Sequence, residues 1–172
     1  MAKSYPKIHV DGFDLDPASV GEAQTHARAA GLSDRVRFDL RDAGDPSLSG
    51  QYDLVTAFET IHDMADPVKS LRNMLRLAGP TGSVIVMDER TAERFTPEGN
   101  EIERILYGFS ILSCLPAGRS ESPSAGTGTV MRPDTLREYA LKADFHDVEI
   151  LPIDNFFFRF YRLKTNGNAR KL

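Results

Sequence analysis

Three short polar clusters hold the residues of this sequence best suited to bind or act on a small molecule. The first is Asp11, Asp14 and Asp16 in Val10-Asp11-Gly12-Phe13-Asp14-Leu15-Asp16-Pro17. A carboxylate at the carboxyl end of a strand in a doubly wound sheet accepts hydrogen bonds from ribose hydroxyls. Asp14 stands at that point, with Asp11 and Asp16 as rivals, and plain capping of the next helix explains the same aspartates without a ligand. The second cluster is Arg41-Asp42-Ala43, where a carboxylate can accept from the exocyclic amine of adenine. The third is Phe58-Glu59-Thr60-Ile61-His62-Asp63. Of the four histidines, His62 alone falls in such a cluster. With Glu59 and Asp63 nearby it suits a general base, or a residue that orients the loop before Asp66-Pro67. Each cluster follows an apolar run, and ligands in parallel sheets bind beyond the strands' carboxyl ends. Their agreement counts for more than any one of them.

Other chemistries find less support. The histidines are scattered and Cys114 is the sole cysteine, so no metal-ligand spacing is visible. No serine lies in a G-x-S-x-G turn. Gly126-Thr127-Gly128 follows a Ser/Pro-rich stretch rather than a strand, and reads as a flexible segment rather than a phosphate loop. Arg90, Arg94 and Arg104 suit an acidic substrate, but solvated surfaces carry such residues routinely.

The elements that must position these clusters alternate in period, the mark of a parallel α/β sheet. Apolar runs at 8–13, 36–38, 52–58 and 83–87 read as strands. Between them, Asp16-Pro17 and Asp66-Pro67 each supply an N-cap and a first-turn proline. Val20, Ala23, Ala27 and Ala30 form one helical stripe ending at Gly31. Val68, Leu71, Met74, Leu75 and Ala78 form another, ending at Gly79. Thr96-Pro97 opens a longer helix with Ile102, Ile105, Leu106, Phe109 and Leu112 on one side, and 116–129 reads as a loop. A short helix from Pro133 carries Leu136, Tyr139 and Ala140. The last runs, 147–151 and 156–163, are linked so closely that only an antiparallel hairpin is permitted. The organisation expected is one domain over 1–164 and a frayed polar tail over 165–172.

Length and charge set the outer bounds. The 172 residues are 41% hydrophobic and 27% charged, which is globular composition for a single domain. The net charge of −4 gives no basic surface for nucleic acid. No apolar run approaches the ~20 residues needed to cross a bilayer, and the N-terminus lacks a secretory h-region. A lone cysteine suits a reducing, cytoplasmic setting.

In order, Val10-Asp11-Gly12-Phe13-Asp14, Arg41-Asp42-Ala43, Tyr52-Asp53-Leu54-Val55, Ile61-His62-Asp63, Leu77-Ala78-Gly79-Pro80-Thr81-Gly82 and Met87-Asp88-Glu89 resemble class I S-adenosylmethionine-dependent methyltransferases. The resemblance covers about residues 5–163 and is nearest to bacterial small-molecule enzymes of the quinone-biosynthesis type. It implies a Rossmann-like sheet of order 3-2-1-4-5-7-6, with helices on both faces and an antiparallel seventh strand. It further implies that Asp14 holds the cofactor ribose, that Leu15 packs on the adenine, and that Asp42 and Ala43 bind its amino group. Phe58 would border the cofactor, while His62 and a helix over 98–115 would face a small-molecule acceptor.

The family's first strand and G-x-G-x-G loop should precede Ile8, where only MAKSYPK stands, with residues 2–5 like the tail of the intervening helix. The expectation is therefore a domain lacking that strand and loop, with impaired transfer. The alternative is a non-catalytic remnant that binds or oligomerises through strand edges left uncovered. A nicotinamide-dependent Rossmann enzyme fits less well, because it explains neither the final hairpin nor Arg41-Asp42-Ala43.

Overall fold

The computed structural model describes residues 1–165. The chain divides into two compact units, residues 1–47 and residues from 48 onward.

The first unit is a βαβ arrangement of β1 (Val10–Asp14), α1 (Pro17–Ala29) and β2 (Val36–Leu40). β1 and β2 run parallel, from Val10 opposite Val36 to Asp14 opposite Leu40. In that register Gly12 lies opposite Phe38, and a Cβ on Gly12 would come within 2.5 Å of its ring. Only glycine lets the aromatic ring lie across the ladder. Asp16 caps α1, accepting from the N–H groups of Ala18 at 3.3 Å and Ser19 at 2.8 Å. Gly31, at φ 67°, lets the chain turn away after the helix. The Arg35 guanidinium donates to the carbonyls of Ala2, Tyr5 and Ile8, fastening the first residues to β2. Of the expected α1 stripe, Val20 and Ala27 are buried.

The second unit holds a four-stranded sheet of order β3-β4-β6-β5. Its strands are β3 (Leu54–Phe58), β4 (Ser83–Glu89), β5 (Asp147–Ile150) and β6 (Phe158–Lys164). β3 and β4 are parallel, while β6 runs antiparallel to both β4 and β5. Within each unit the neighbouring strands pair as the expected order requires, and the expected final hairpin is present. α2 (Pro67–Ala78) and α5 (Pro133–Lys142) pack together against this sheet. Leu71, Ala78, Val84, Val86, Leu136, Ala140, Tyr161 and Leu163 form the centre of the core. Asp66 caps α2 through the Lys69 N–H at 2.9 Å.

Several boundaries differ from the sequence reading. β4 runs on through Asp88 and Glu89, because strand alternation keeps Asp88 on the buried face already held by Val84 and Val86. The helix expected from Thr96-Pro97 begins instead as α3 (Glu101–Phe109). The Asn100 side chain accepts from the Glu103 N–H at 2.8 Å, and Gly99 turns the chain at φ 53° just before it. α3 continues into a π-helical turn, Ser110–Cys114, and then α4 (Leu115–Gly118). Its expected apolar side is only partly covered: Leu106 is buried, whereas Ile105, Phe109 and Leu112 are exposed. Lys164 ends β6 and Thr165 is buried. The rest of the expected tail, residues 166–172, lies outside the described residues.

Candidate functional site

In the first unit the polar residues collect where the two parallel strands end. Asp14 closes β1, and its carbonyl accepts from the Arg41 N–H at 2.9 Å, so the Asp14 and Asp42 segments lie together. Asp14 Oδ1 accepts from the Asp16 N–H at 2.8 Å. Of its rivals, Asp16 is committed to the α1 cap, and Asp11 sits inside β1 opposite Arg37. Leu15 is 62% exposed, an apolar side chain beside an exposed carboxylate. Asp42 accepts from the Gly44 N–H at 2.7 Å, which rounds the loop containing half-buried Ala43. Arg41 donates to Asp45 at 2.5 Å and to Ser47 at 2.7 Å. The Ser47 N–H and Arg41 together draw Asp45 down to about 2.

In the second unit Phe58 ends β3 and is 45% exposed. The chain turns at Glu59, φ 53°, whose N–H donates to the Met87 carbonyl at 2.9 Å. A single 3₁₀ turn, Ile61–Asp63, then carries His62 inward until it is 3% exposed. There Asp88 Oδ1 accepts from His62 Nδ1 at 2.8 Å, and Glu89 Oε2 lies 3.4 Å from the same nitrogen. The charge partners of His62 are thus Asp88 and Glu89, where the sequence suggested Glu59 and Asp63. Glu59 is exposed and points its backbone, through that turn, to Met87. Asp63 stays close, since His62, Asp63 and Cys114 each bring one donor atom within 4.8 Å of the others. Burial works against a charged His62, but the hydrogen bond and charge of Asp88 and the charge of Glu89 outweigh it and push His62 up to about 10. Burial, and then the neighbouring Asp88 carboxylate, push Glu89 up to about 8 against the pull of His62.

The sequence reading did not single out Asp88, Glu89 or Cys114 as neighbours of His62. Carrying the alternation of 83–87 two residues further would have put Asp88 on the Val84 face. Nothing local marks Cys114, which the π-helical turn and α4 bring alongside. Gly128 belongs here as well. Its N–H donates to the His62 carbonyl at 2.9 Å, so the Gly126-Thr127-Gly128 segment braces the histidine turn. Arg90 anchors the hairpin by donating to the Asn155 carbonyl at 2.8 Å, and Arg94 and Arg104 are exposed.

Known proteins place this architecture. The profile described as a methyltransferase domain matches residues 1–113. Norajmaline N-methyltransferase from Rauvolfia serpentina is 33% identical over 122 residues, 67% of this chain and 41% of the plant enzyme. A ubiquinone biosynthesis O-methyltransferase from Marinobacter nauticus is 33% identical over 120 residues, 66% of this chain and 46% of its own length. The chain therefore spans less than half of these relatives. Among solved structures, the S-adenosylmethionine-dependent methyltransferase SibL superposes with a TM-score of 0.72 at 18% identity, over 95% of this chain and 45% of SibL. The O-methyltransferase NcsB1, solved with S-adenosyl-L-homocysteine and 1,4-dihydroxy-2-naphthoic acid, gives 0.69 at 19% identity, over 95% of this chain and 44% of NcsB1. The matching domain, the relatives and the superposed folds converge: this chain belongs to the class I S-adenosylmethionine-dependent methyltransferase family.

Proposed function

We propose that this chain is part of a cytoplasmic enzyme that moves a methyl group from S-adenosylmethionine to an oxygen or nitrogen of a small molecule. The observation that carries the reading is the pairing of Asp14 and Asp42 at adjacent strand ends, tied by the Arg41 N–H. An exposed carboxylate beside exposed Leu15 suits a ribose diol next to an apolar base. In this reading Asp14 holds the ribose while Oδ1 keeps the Asp16 N–H, Leu15 packs on the adenine, and Asp42 with Ala43 takes the amino group. The sulfonium of the bound cofactor supplies the activated methyl. His62, its ring fixed by Asp88, is assigned to the acceptor side, where it sets the nucleophilic atom. Alignment and exclusion of water suffice for transfer to a good nucleophile, without a dedicated base.

The test is calorimetric titration of the chain with S-adenosylhomocysteine, followed by transfer of labelled methyl to phenols, quinols and amines. Saturable binding with transfer to one acceptor class supports the reading. A folded chain that binds no cofactor sinks it.

A second reading, a binding or oligomerising module without catalysis, draws on the strand edges. Among the described residues β3 pairs only with β4, and β1 only with β2. Leu54 and Phe58 on β3 are exposed. Unpaired edges of this kind recruit other strands. Sedimentation velocity decides it: a concentration-dependent dimer that binds no cofactor favours the module, and a cofactor-binding monomer excludes it.

A further inference from the structure

His62, Asp88 and Glu89 bring three metal-ligating atoms together in the protein interior. One ligand atom from each lies within 4.8 Å of the other two, and all three residues are buried. They are 3%, 1% and 5% exposed. We propose that these three side chains form a site for a divalent transition ion of the zinc class.

Unmet hydrogen-bonding capacity points to a ligand. Asp88 Oδ2 and Glu89 Oε2 are buried and have no hydrogen-bond partner. Two carboxylate oxygens left in that state are costly unless a cation or proton answers them. The spacing suits a cation. Two ligands each ~2.0–2.1 Å from a tetrahedral ion stand ~3.3 Å apart, and His62 Nδ1 lies 3.4 Å from Glu89 Oε2. The 2.8 Å from His62 Nδ1 to Asp88 Oδ1 is a hydrogen-bond length, and it would open by roughly half an ångström to reach the same edge.

Donor chemistry and charge agree. One imidazole nitrogen with two carboxylate oxygens is a zinc-type set that leaves one position open, whereas calcium and magnesium prefer oxygen-only shells. With a neutral imidazole, a dication cancels the charge of the two carboxylates. The three ligands come from two well-held parts. Asp88 and Glu89 end β4, where β6 pairs with them, and His62 sits on a turn braced by the Gly128 N–H. Arg159, opposite Asp88 in the β4–β6 register, has a buried Nη1 that also lacks a hydrogen-bond partner. Tyr161 is the other neighbour of that guanidinium.

The rival set is His62, Asp63 and Cys114. Asp63 and Cys114 are only half-buried. The orphaned oxygens place the ion on the β4 side.

The experiment titrates the purified full chain with Zn²⁺ by calorimetry and with Co²⁺ by visible absorption, with circular dichroism to verify folding. The expected result is one equivalent bound, with cobalt bands of a low-coordinate nitrogen and oxygen site and no thiolate charge-transfer band. Glu89→Gln should weaken Zn²⁺ binding by at least about tenfold, as should Asp88→Asn, while Cys114→Ser leaves it unchanged. Glu89→Gln keeps shape and removes only charge, so it serves if Asp88→Asn fails to fold. No saturable binding by the folded chain overturns the proposal. Binding unchanged in Glu89→Gln overturns it too, as does binding lost in Cys114→Ser.

Discussion

Replacing Asp14 with alanine removes the carboxylate assigned to the ribose while leaving β1 and its ladder intact. Hydrogen bonds to a charged group contribute about 1.5–3 kcal/mol, so Asp14→Ala should weaken S-adenosylhomocysteine binding roughly ten- to a hundredfold by calorimetry. Unchanged affinity would remove Asp14 from the site. Asp45 makes a different prediction, of pH dependence. Its folded value, about 2, lies below the ordinary 3.8 because the Ser47 N–H and Arg41 hold the carboxylate. A depressed carboxylate stabilises the fold above its unfolded value, and that contribution disappears as pH falls through the folded one. Urea unfolding should therefore find Asp45→Asn less stable than the unaltered chain above about pH 4, with the gap closing towards pH 2. A gap that is constant across that range would show that Asp45 is held by something other than its charge.

At the scale of elements, the strands and α2 were legible because their period is set by burial on a defined face. Leu71, Met74 and Ala78 fell on the buried side of α2 as the 3.6-residue spacing demands. What eluded the sequence was polar residues in apolar positions. Asp88 continues the Val84–Val86 face, yet a carboxylate reads as the end of a strand rather than its buried tip. Likewise α3 begins at an asparagine cap, where Thr96-Pro97 offered a stronger local signal, and only the chain reversal at Gly99 separates the two. The 126–128 segment shows how context assigns a role. Gly128 adopts φ 73°, and a Cβ there would sit 2.2 Å from Ser110 Oγ and 3.3 Å from Leu115 Cβ. Gly128→Ala should therefore destabilise the chain by about 2 kcal/mol or more, from left-handed strain plus the clash. Adding Ser110→Ala removes the hydroxyl but not the strain. The double variant should recover part of that loss, a coupling on the order of 1 kcal/mol in denaturant unfolding. Strictly additive effects would mean the clash is relieved elsewhere.

Across the whole molecule, the two units differ in what holds them. The second has a continuous core of large side chains, from Leu71 and Val86 to Tyr161 and Leu163. In the first, the buried apolar residues are Ala2, Val20 and Ala27, all small, around a two-stranded ladder. Segments of under about 50 residues with so little apolar burial are marginal alone, and two strands rarely stabilise themselves. Local opening free energy follows buried contact, so stability should be unevenly spread. In hydrogen exchange, amides of β1 and β2 should exchange through local opening, well before those of β4 and β6, which open only with the core. Because the residues proposed for the ribose and adenine lie in this weaker unit, cofactor should act on it most. A ligand that binds only the ordered form stabilises it by about 2.7 kcal/mol at a hundredfold excess over Kd. S-adenosylhomocysteine should accordingly slow exchange in β1 and β2 by about a hundredfold while barely changing β4 and β6. Equal protection of all four strands without ligand would show that the first unit draws its stability from more than its own core. Protection gained in β4 and β6 alone would move the nucleoside site away from Asp14 and Asp42.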